Sequence, residues 1–531
     1  MLTLRRSRAR LLTAALLTAA IVTVGGPAAQ GGFNGDAHLD LVFANVNQEE
    51  RACEGDGSGG FTCSDVSGDT RNTHGVALGD VNGDGDLDAV FANNAQRNRL
   101  CVGDGSGGFS CSDVSTDTNF STGVALDHVD GDGHLDAVFS NDGENRVCLG
   151  DGAGGFSCSD VSADTESSFA VALGDVSGDG HLDALFANNA QPNRVCLGDG
   201  SGGFTCSNVS SDTDGSFAVA LGDVDGDRSL DAVFANNGQE NQVCLGDGSG
   251  EFTCANVSDD TFFSFGAAIG DMDGDADLDL VFANDGQKNR VCLADGFGEF
   301  TCSNVSDDTD SSVGVALGDM DEDGDLDASF ANFGEEDQLC LGDGSGQFAC
   351  SNISADTDSS GALAIATPLC DGRVPTIPAT NGPDTIHGSN GPDVIWAWGG
   401  GDVVYGYGGD DVICLGAGAD VAYAGAGRDI VYGDPGADQI YGGKHPDLIF
   451  GNGGKDFIES GGGADTVRGG GKADEIRGRG GGDLLRGNAG DDALVGGRGD
   501  DTLLGGSGAD TANGNTGFDT CDAETEVSCE A

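Results

Sequence analysis

The sequence predicts an all-β chain made of two successive repeat systems, the first of them a seven-bladed β-propeller. Three observations carry this prediction. Gly accounts for 95 of 531 residues against 9 Pro, and at a strict period such a share means one turn repeated many times, not a loose linker. Acids outnumber bases 90 to 23, for a formal net charge of -67, yet the acids sit at fixed intervals among Val, Ile, Leu and Phe, which is not the pattern of a disordered chain. Short apolar runs alternate with turn signals throughout, and past the N-terminus no run has useful helical periodicity.

The charge narrows the partners. A compact chain this acidic repels itself unless cations neutralise it, and duplex nucleic acid needs a basic surface that is missing here. Multiple Ca²⁺ ions are the expected cofactor. At the N-terminus, Arg5, Arg6, Arg8 and Arg10 precede the apolar run 11–24 and the small residues 25–29. The run is too short to span a bilayer, so residues 1–30 read as a secretory signal peptide, and no membrane span is expected in the mature chain. The 18 Cys, an even number in regular sequence pairs, fit an oxidising compartment. A secreted protein, free or held at the cell surface, is therefore expected.

The first repeat system occupies residues 31–366 with a period near 48. One unit comprises Gly75–Asp80 (GVALGD), Val81–Asp88 (VNGDGDLD), Ala89–Asn93 (AVFAN), then Arg99–Cys101 and Phe109–Cys111. Four short strands in such a period describe a propeller blade. Aspartate loops open near positions 32, 80, 128, 175, 223, 271 and 319, which predicts seven blades. The chain enters at a loop without a preceding strand, and the spare run 361–366 follows the last unit. That run is expected to complete blade one and leave no open edge. A linker, 367–380, separates this unit from the second, 381–531.

Each loop places oxygen-bearing side chains at positions 1, 3, 5 and 9. The sets are Asp80, Asn82, Asp84, Asp88; Asp175, Ser177, Asp179, Asp183; Asp223, Asp225, Asp227, Asp231; Asp271, Asp273, Asp275, Asp279; and Asp319, Asp321, Asp323, Asp327. Gly residues such as Gly83 and Gly85 let the backbone turn sharply, and the carbonyl at position 7 would add a ligand. Several hard oxygen donors suit Ca²⁺ better than Mg²⁺. The alternative is that these carboxylates only cap turns through backbone N–H groups. Two loops are degraded: His128 stands before Asp130, Asp132 and Asp136, and Gly32 before Asn34, Asp36 and Asp40. The first is expected to bind more weakly, the second weakly or not at all. With these loops and the Phe-Ala-Asn strands that follow, the segment resembles the FG-GAP/VCBS repeats found in integrin-α-like propellers. The resemblance implies calcium loops at blade edges and a role in adhesion or ligand binding, without fixing the function.

Every unit also carries two Cys ten residues apart: Cys53/Cys63, Cys101/Cys111, Cys148/Cys158, Cys196/Cys206, Cys244/Cys254, Cys292/Cys302 and Cys340/Cys350. A Gly-rich hairpin between them would set the two opposite each other, so seven disulfides are expected. The clustered spacing of a zinc site is absent. Cys521 and Cys529 would close a terminal loop, and Cys370 with Cys414 is left as a pairing between linker and second unit.

The second system has a period of nine without insertions. Its aspartates are Asp384, Asp393, Asp402, Asp411, Asp420, Asp429, Asp438, Asp447, Asp456, Asp465, Asp474, Asp483, Asp492, Asp501, Asp510 and Asp519. An apolar residue follows two positions later and Gly flanks most turns, as in the G-G-x-G-x-D-x-U-x nonapeptide. This segment resembles RTX, or haemolysin-type, calcium-binding repeats. The resemblance implies a right-handed parallel β-roll, two nonamers per coil, calcium held between turns by carboxylates and carbonyls, and the apolar residue in a thin core. Sites near His445-Pro446, Lys472-Ala473, Leu415 and Ala424, which replace the usual Gly, are in question. Folding of so acidic a roll is expected to require calcium.

The functional expectation is a secreted calcium-binding repeat protein serving as an extracellular adhesion or ligand-binding module, its partner a protein or glycan. A calcium-dependent lectin is the alternative, although the chain has only 2 Trp and 5 Tyr. An enzyme, such as a polysaccharide lyase or phosphodiesterase, should break the repeat symmetry with unique pocket residues. His38, His134 and His181 instead share loop position 7, His74 stands alone before a strand, and Phe120, Phe169, Phe217 and Phe265 read as recurrent blade packing.

Overall fold

The structure is a computed structural model that describes residues 33–34, 38–275, 277–366, 370, 375, 377, 379–523 and 525–529. The predicted signal segment, Asp36 of the first loop and most of the linker lie outside these residues. Among the described residues every regular element is a β-strand.

The N-terminal unit consists of repeated antiparallel four-strand sets. Five stand as separate four-stranded sheets, and two join in an eight-stranded sheet. In that larger sheet Asp40–Gln48 pairs on one side with Arg51–Gly55 and on the other with Ser360–Ala366, the last strand of the unit. The spare C-terminal strand thus pairs with the first, Leu41 opposite Ile365 and Phe43 opposite Leu363. The first strands of successive sets neighbour one another in a cycle: Arg71–Gly79, Ser121–Asp127, Ser168–Gly174, Ser216–Gly222, Ser264–Gly270, Ser312–Gly318, Ser360–Ala366 and back to Arg71–Gly79.

Alternation explains the packing. The Phe-Ala-Asn strands put Phe91, Phe139, Phe186, Phe234, Phe282 and Phe330 fully inside, each in a core shared with the neighbouring sheet. A polar stitch not foreseen from the repeat supplements this core. Asn193 Nδ2 donates to Ser216 Oγ of the next set (2.9 Å), and Ser216 Oγ donates to Asn236 Oδ1 (2.7 Å). The stitch recurs around the unit and closes it, since Ser360 Oγ donates to Asp337 Oδ2 (2.9 Å) and to Asn45 Oδ1 (3.1 Å). Buried polar groups that satisfy one another in this way fix a register that apolar contacts alone leave loose. All seven expected hairpin disulfides are present, each between directly opposed residues such as Cys244 and Cys254. Cys370–Cys414 and Cys521–Cys529 are also bonded.

One packing expectation needs correction. Phe169 stacks on Phe217 (centroids 4.6 Å apart), and Phe265 meets Phe217 edge-to-face (4.9 Å). Phe120 is not in that register: it precedes Ser121, whereas Phe169 follows Ser168. Phe120 therefore bridges Asn94 as Phe263 bridges Asn237, and both rings are half exposed.

The C-terminal unit is a parallel β-solenoid of about eight turns with two facing sheets. Each coil advances 18 residues, so Val404 lies beside Ala422 and Ala422 beside Ile440, while Ile413 lies beside Val431 and Val431 beside Ile449. These residues form one thin, fully buried core. Leu415 and Ala424, which replace turn Gly, also point into that core. The first coils meet the loop ends of the N-terminal sheets. Asn390 N–H donates to Arg228 O (3.1 Å), Asn381 N–H donates to Asp319 Oδ2 (3.2 Å), and the Arg228 guanidinium lies 4.1 Å from the Tyr407 ring centroid.

Candidate metal centres

The ninth-position aspartates of the propeller-type loops are the most buried. Asp88, Asp136, Asp183, Asp231, Asp279 and Asp327 are inaccessible, as is Asp40. Each carboxylate ties the loop to the following hairpin. In Asp231, Oδ2 accepts from Val224 N–H (2.9 Å) and Oδ1 from Gly246 N–H (2.8 Å); Asp88 does the same with Val81 (3.0 Å) and Gly103 (2.9 Å). Burial pushes the pKa of Asp88, Asp231, Asp279 and Asp327 up to about 7, and that of Asp136 and Asp183 to about 6, with neighbouring loop aspartates adding to the shift. A cation would hold such carboxylates ionised.

The first-position carboxylates curl over loop amides. Asp80 Oδ1 accepts from Gly83 (2.7 Å) and Asp84 (3.0 Å), and Oδ2 from Gly85 (2.9 Å); Asp175 and Asp223 do likewise. Three loops bring carboxylate oxygens of positions 1, 3 and 9 within 4.8 Å of one another: Asp223, Asp225, Asp231; Asp271, Asp273, Asp279; and Asp319, Asp321, Asp327. Oδ1 of Asp273 and of Asp321 is buried with no hydrogen-bond partner, which is the atom a cation would take. Loops with Asn82 or Ser177 at position 3 offer one carboxylate fewer. The fifth-position side chains are turned differently. Asp84, Asp132, Asp179, Asp227, Asp275 and Asp323 each accept an N–H from the residue two ahead at the exposed loop rim, so turn capping and ion binding divide the loop between them. In the degraded loop His128 Nδ1 bonds the His134 carbonyl (2.9 Å), beside Asp130, Asp132 and the buried Asp136.

The solenoid arranges its aspartates as two ladders. The N–H of each Asp donates to Oδ1 of the Asp 18 residues on, from Asp384 to Asp402 (2.8 Å) through Asp501 to Asp519 (3.0 Å). Asp393, Asp411, Asp429, Asp447, Asp465 and Asp483 form one ladder, and Asp420, Asp438, Asp456, Asp474, Asp492 and Asp510 continue the other. The second oxygen is the telling one. Oδ2 of every repeat Asp from Asp402 to Asp501 is buried without a hydrogen-bond partner. Asp384 and Asp393 differ because Thr380 and Ser389 cap them at the first coils. Burial raises Asp402, Asp438, Asp447, Asp474 and Asp483 to about 7, and adjacent carboxylates add to this.

Glycine leaves the space beside these oxygens. A Cβ on Gly442 would stand 2.7 Å from Asp447 Oδ2 and 2.6 Å from the Ser460 carbonyl oxygen of the next coil; on Gly451 it would stand 2.7 Å from Asp456 Oδ2 and 2.5 Å from Gly469 O. An orphaned carboxylate oxygen and a carbonyl oxygen thus flank each open position. Such an all-oxygen donor set fits Ca²⁺ and not a soft metal.

Family comparison agrees with this geometry. FG-GAP-like repeats match at residues 32–91, 128–186, 175–234, 223–282 and 271–329, and the RTX calcium-binding nonapeptide repeat matches at six places between 378 and 521. The chain carries FG-GAP-like repeats followed by RTX calcium-binding nonapeptide repeats. Both repeat types occur in the order the sequence predicts. No curated protein matches the chain. Similar solved structures include an Agrocybe aegerita lectin that recognises non-reducing terminal N-acetylglucosamine (19% identity, 64% of this chain and 96% of that one, TM-score 0.45). Others are the BP39L lectin of Burkholderia pseudomallei (14%, 66% and 99%, 0.48) and the computationally designed Ika8 protein (10%, 68% and 99%, 0.43).

Sequence reasoning missed one feature of the solenoid surface. His387, Tyr405, Tyr423 and Tyr441 stack along one sheet at centroid distances of 5.0, 5.2 and 4.9 Å. The signal was present, since the three tyrosines recur at the 18-residue coil spacing.

Proposed function

We propose that the chain is a secreted, calcium-loaded binding or adhesion protein, whose N-terminal sheets form a seven-bladed propeller and whose right-handed roll folds only when calcium fills its turns. The observation that carries this reading is the row of buried, unpartnered Oδ2 atoms from Asp402 to Asp501. A buried carboxylate oxygen facing no donor costs several kcal/mol, roughly, unless a cation or proton takes it. The cycle of inner strands and its closure by Ser360–Ala366 support the reading of seven blades. The disulfides support export to an oxidising, calcium-rich compartment, where millimolar calcium would switch the roll to its folded state.

The reading assigns a binding role and no catalysis, because the residues that break the repeat symmetry have structural partners. Glu322 pairs with His38, Arg228 holds Tyr407, and His74 is buried with its Nε2 on Asn72. A lectin is the second reading, supported by the row of phenol edges on the roll. The test is circular dichroism of the full mature chain in EGTA and in millimolar calcium, followed by glycan-array binding in both. The reading expects parallel-sheet signal to appear with calcium. An unchanged spectrum refutes calcium-coupled folding, and calcium-dependent glycan capture selects the lectin form.

A further inference from the structure

The inner strands of the propeller carry an apolar residue near each C-terminal end: Leu126, Leu173, Leu221, Ile269 and Leu317. These side chains line a pocket of about 190 Å³ at the mouth of the central channel. Leu173, Leu221 and Ile269 remain only half-buried although they lie inside the ring, because they face this space. Four residues back along the same strands, roughly 13 Å away, Phe169, Phe217 and Phe265 contact one another in series and pack with Val313 and Ala362. The channel is therefore blind at that end. Across its mouth lie His387 and Pro392 of the roll's first coils.

The lid is fixed by a residue that departs from the repeat. Arg228 occupies the loop position held by Gly85, Gly133, Gly180 and Gly324 elsewhere, and it adopts φ +76°. A left-handed conformation is unfavourable for a residue that carries a side chain. In return its guanidinium lies over Tyr407 and its carbonyl accepts the Asn390 N–H. Strain kept where a contact between units is made points to a built junction.

We propose that this blind channel is a binding site for one small, uncharged, largely apolar molecule, of the size of a monocyclic aromatic or short hydrocarbon, enclosed by the first coils of the roll. A cavity of about 150 Å³ lined by aliphatic and aromatic side chains stays dry and takes up benzene or xenon; this pocket is of comparable size, and its interior walls are Leu, Ile, Val and Ala, with Asp, Ser389 and His387 confined to the rim. Asp127, Asp175, Asp223 and Asp393 stand at its edge, and its lining includes no Lys or Arg to pair with the carboxylate of a fatty acid. Water gains little against the aliphatic interior walls, away from the polar rim.

The probe is toluene, titrated into the full mature chain in saturating calcium, read by saturation-transfer NMR and by thermal shift. The expected result is saturable one-site binding with a rise in Tm, lost in Ala220→Phe, whose ring would fill the pocket. Arg228→Gly, which restores the repeat residue and removes the latch, is expected to speed toluene exchange without lowering the propeller's Tm. If Ala220→Phe fails to fold, xenon binding to the wild-type chain locates the site directly. The proposal is overturned by the absence of saturable binding, or by binding that survives Ala220→Phe. Calcium content measured on the same sample keeps this outcome separate from the calcium reading.

Discussion

Two aspartates of one loop should fail in different ways. Asp231 is inaccessible and accepts the N–H groups of Val224 and Gly246. Asp231→Ala leaves both donors buried and unpaired, at about 1–3 kcal/mol each, or roughly 2–6 kcal/mol together. That loss should lower the melting transition of the N-terminal unit whether or not calcium is present. Asp225 belongs to the same oxygen cluster but accepts a single N–H, from Asp227 (3.1 Å), at the exposed rim. Water can replace that bond, so Asp225→Ala should cost about 0.5 kcal/mol or less without calcium. With calcium at about a hundredfold excess over Kd, an intact site contributes about 2.7 kcal/mol, and Asp225→Ala should lose much of it. Scanning calorimetry of both variants, calcium-stripped and calcium-loaded, separates the roles. Equal losses in stripped protein would refute the division of the loop into a structural staple and a ligand, as would an undiminished calcium shift in Asp225→Ala.

Three further outcomes follow from the same structure. Replacing Cys244 and Cys254 by Ser opens a short hairpin loop and should cost about 3 kcal/mol, read as a lower Tm with the sheet retained. In calcium-stripped protein, Asp402, Asp438, Asp447, Asp474 and Asp483 would titrate near 7 in the folded roll against 3.8 as the ordinary value. The unfolded chain then binds fewer protons, so protonation near pH 4 should partly replace calcium and the folded roll should be lost as pH rises through about 7; parallel-sheet signal in EGTA that grows over this range would contradict the burial. Gly442→Ala puts a Cβ where Asp447 Oδ2 and Ser460 O converge, whereas Gly462→Ala meets nothing nearer than 3.7 Å. Calcium counting should show a loss for the first and none for the second.

The periodic features were legible in the sequence because a repeated unit repeats its chemistry. The spacing of positions 1, 3 and 9 foreshadowed the carboxylate clusters of three loops, and the regular Cys pairs announced opposed hairpin residues. Singular features were harder to read. Nothing in the pattern showed that Asp231 and its equivalents would staple the following hairpin, because Gly246 lies 15 residues away. Asp84 and its equivalents looked like ligands, yet each also caps its own turn, a choice decided by side-chain rotation. The register of Phe120 was misjudged by two residues, which moved it from the channel to the surface. Arg228 passed as a degenerate Gly position because its partner, Tyr407, lies in the other repeat system.

Calcium content of the mature chain, measured together with melts in EGTA and in calcium, tests the central claim most directly. The account predicts on the order of ten or more ions per chain and a large upward shift in Tm, because ligands that bind only the folded state stabilise it. A few ions and no shift would contradict it, and would leave the aspartate repeats as turn caps in a disulfide-stapled scaffold.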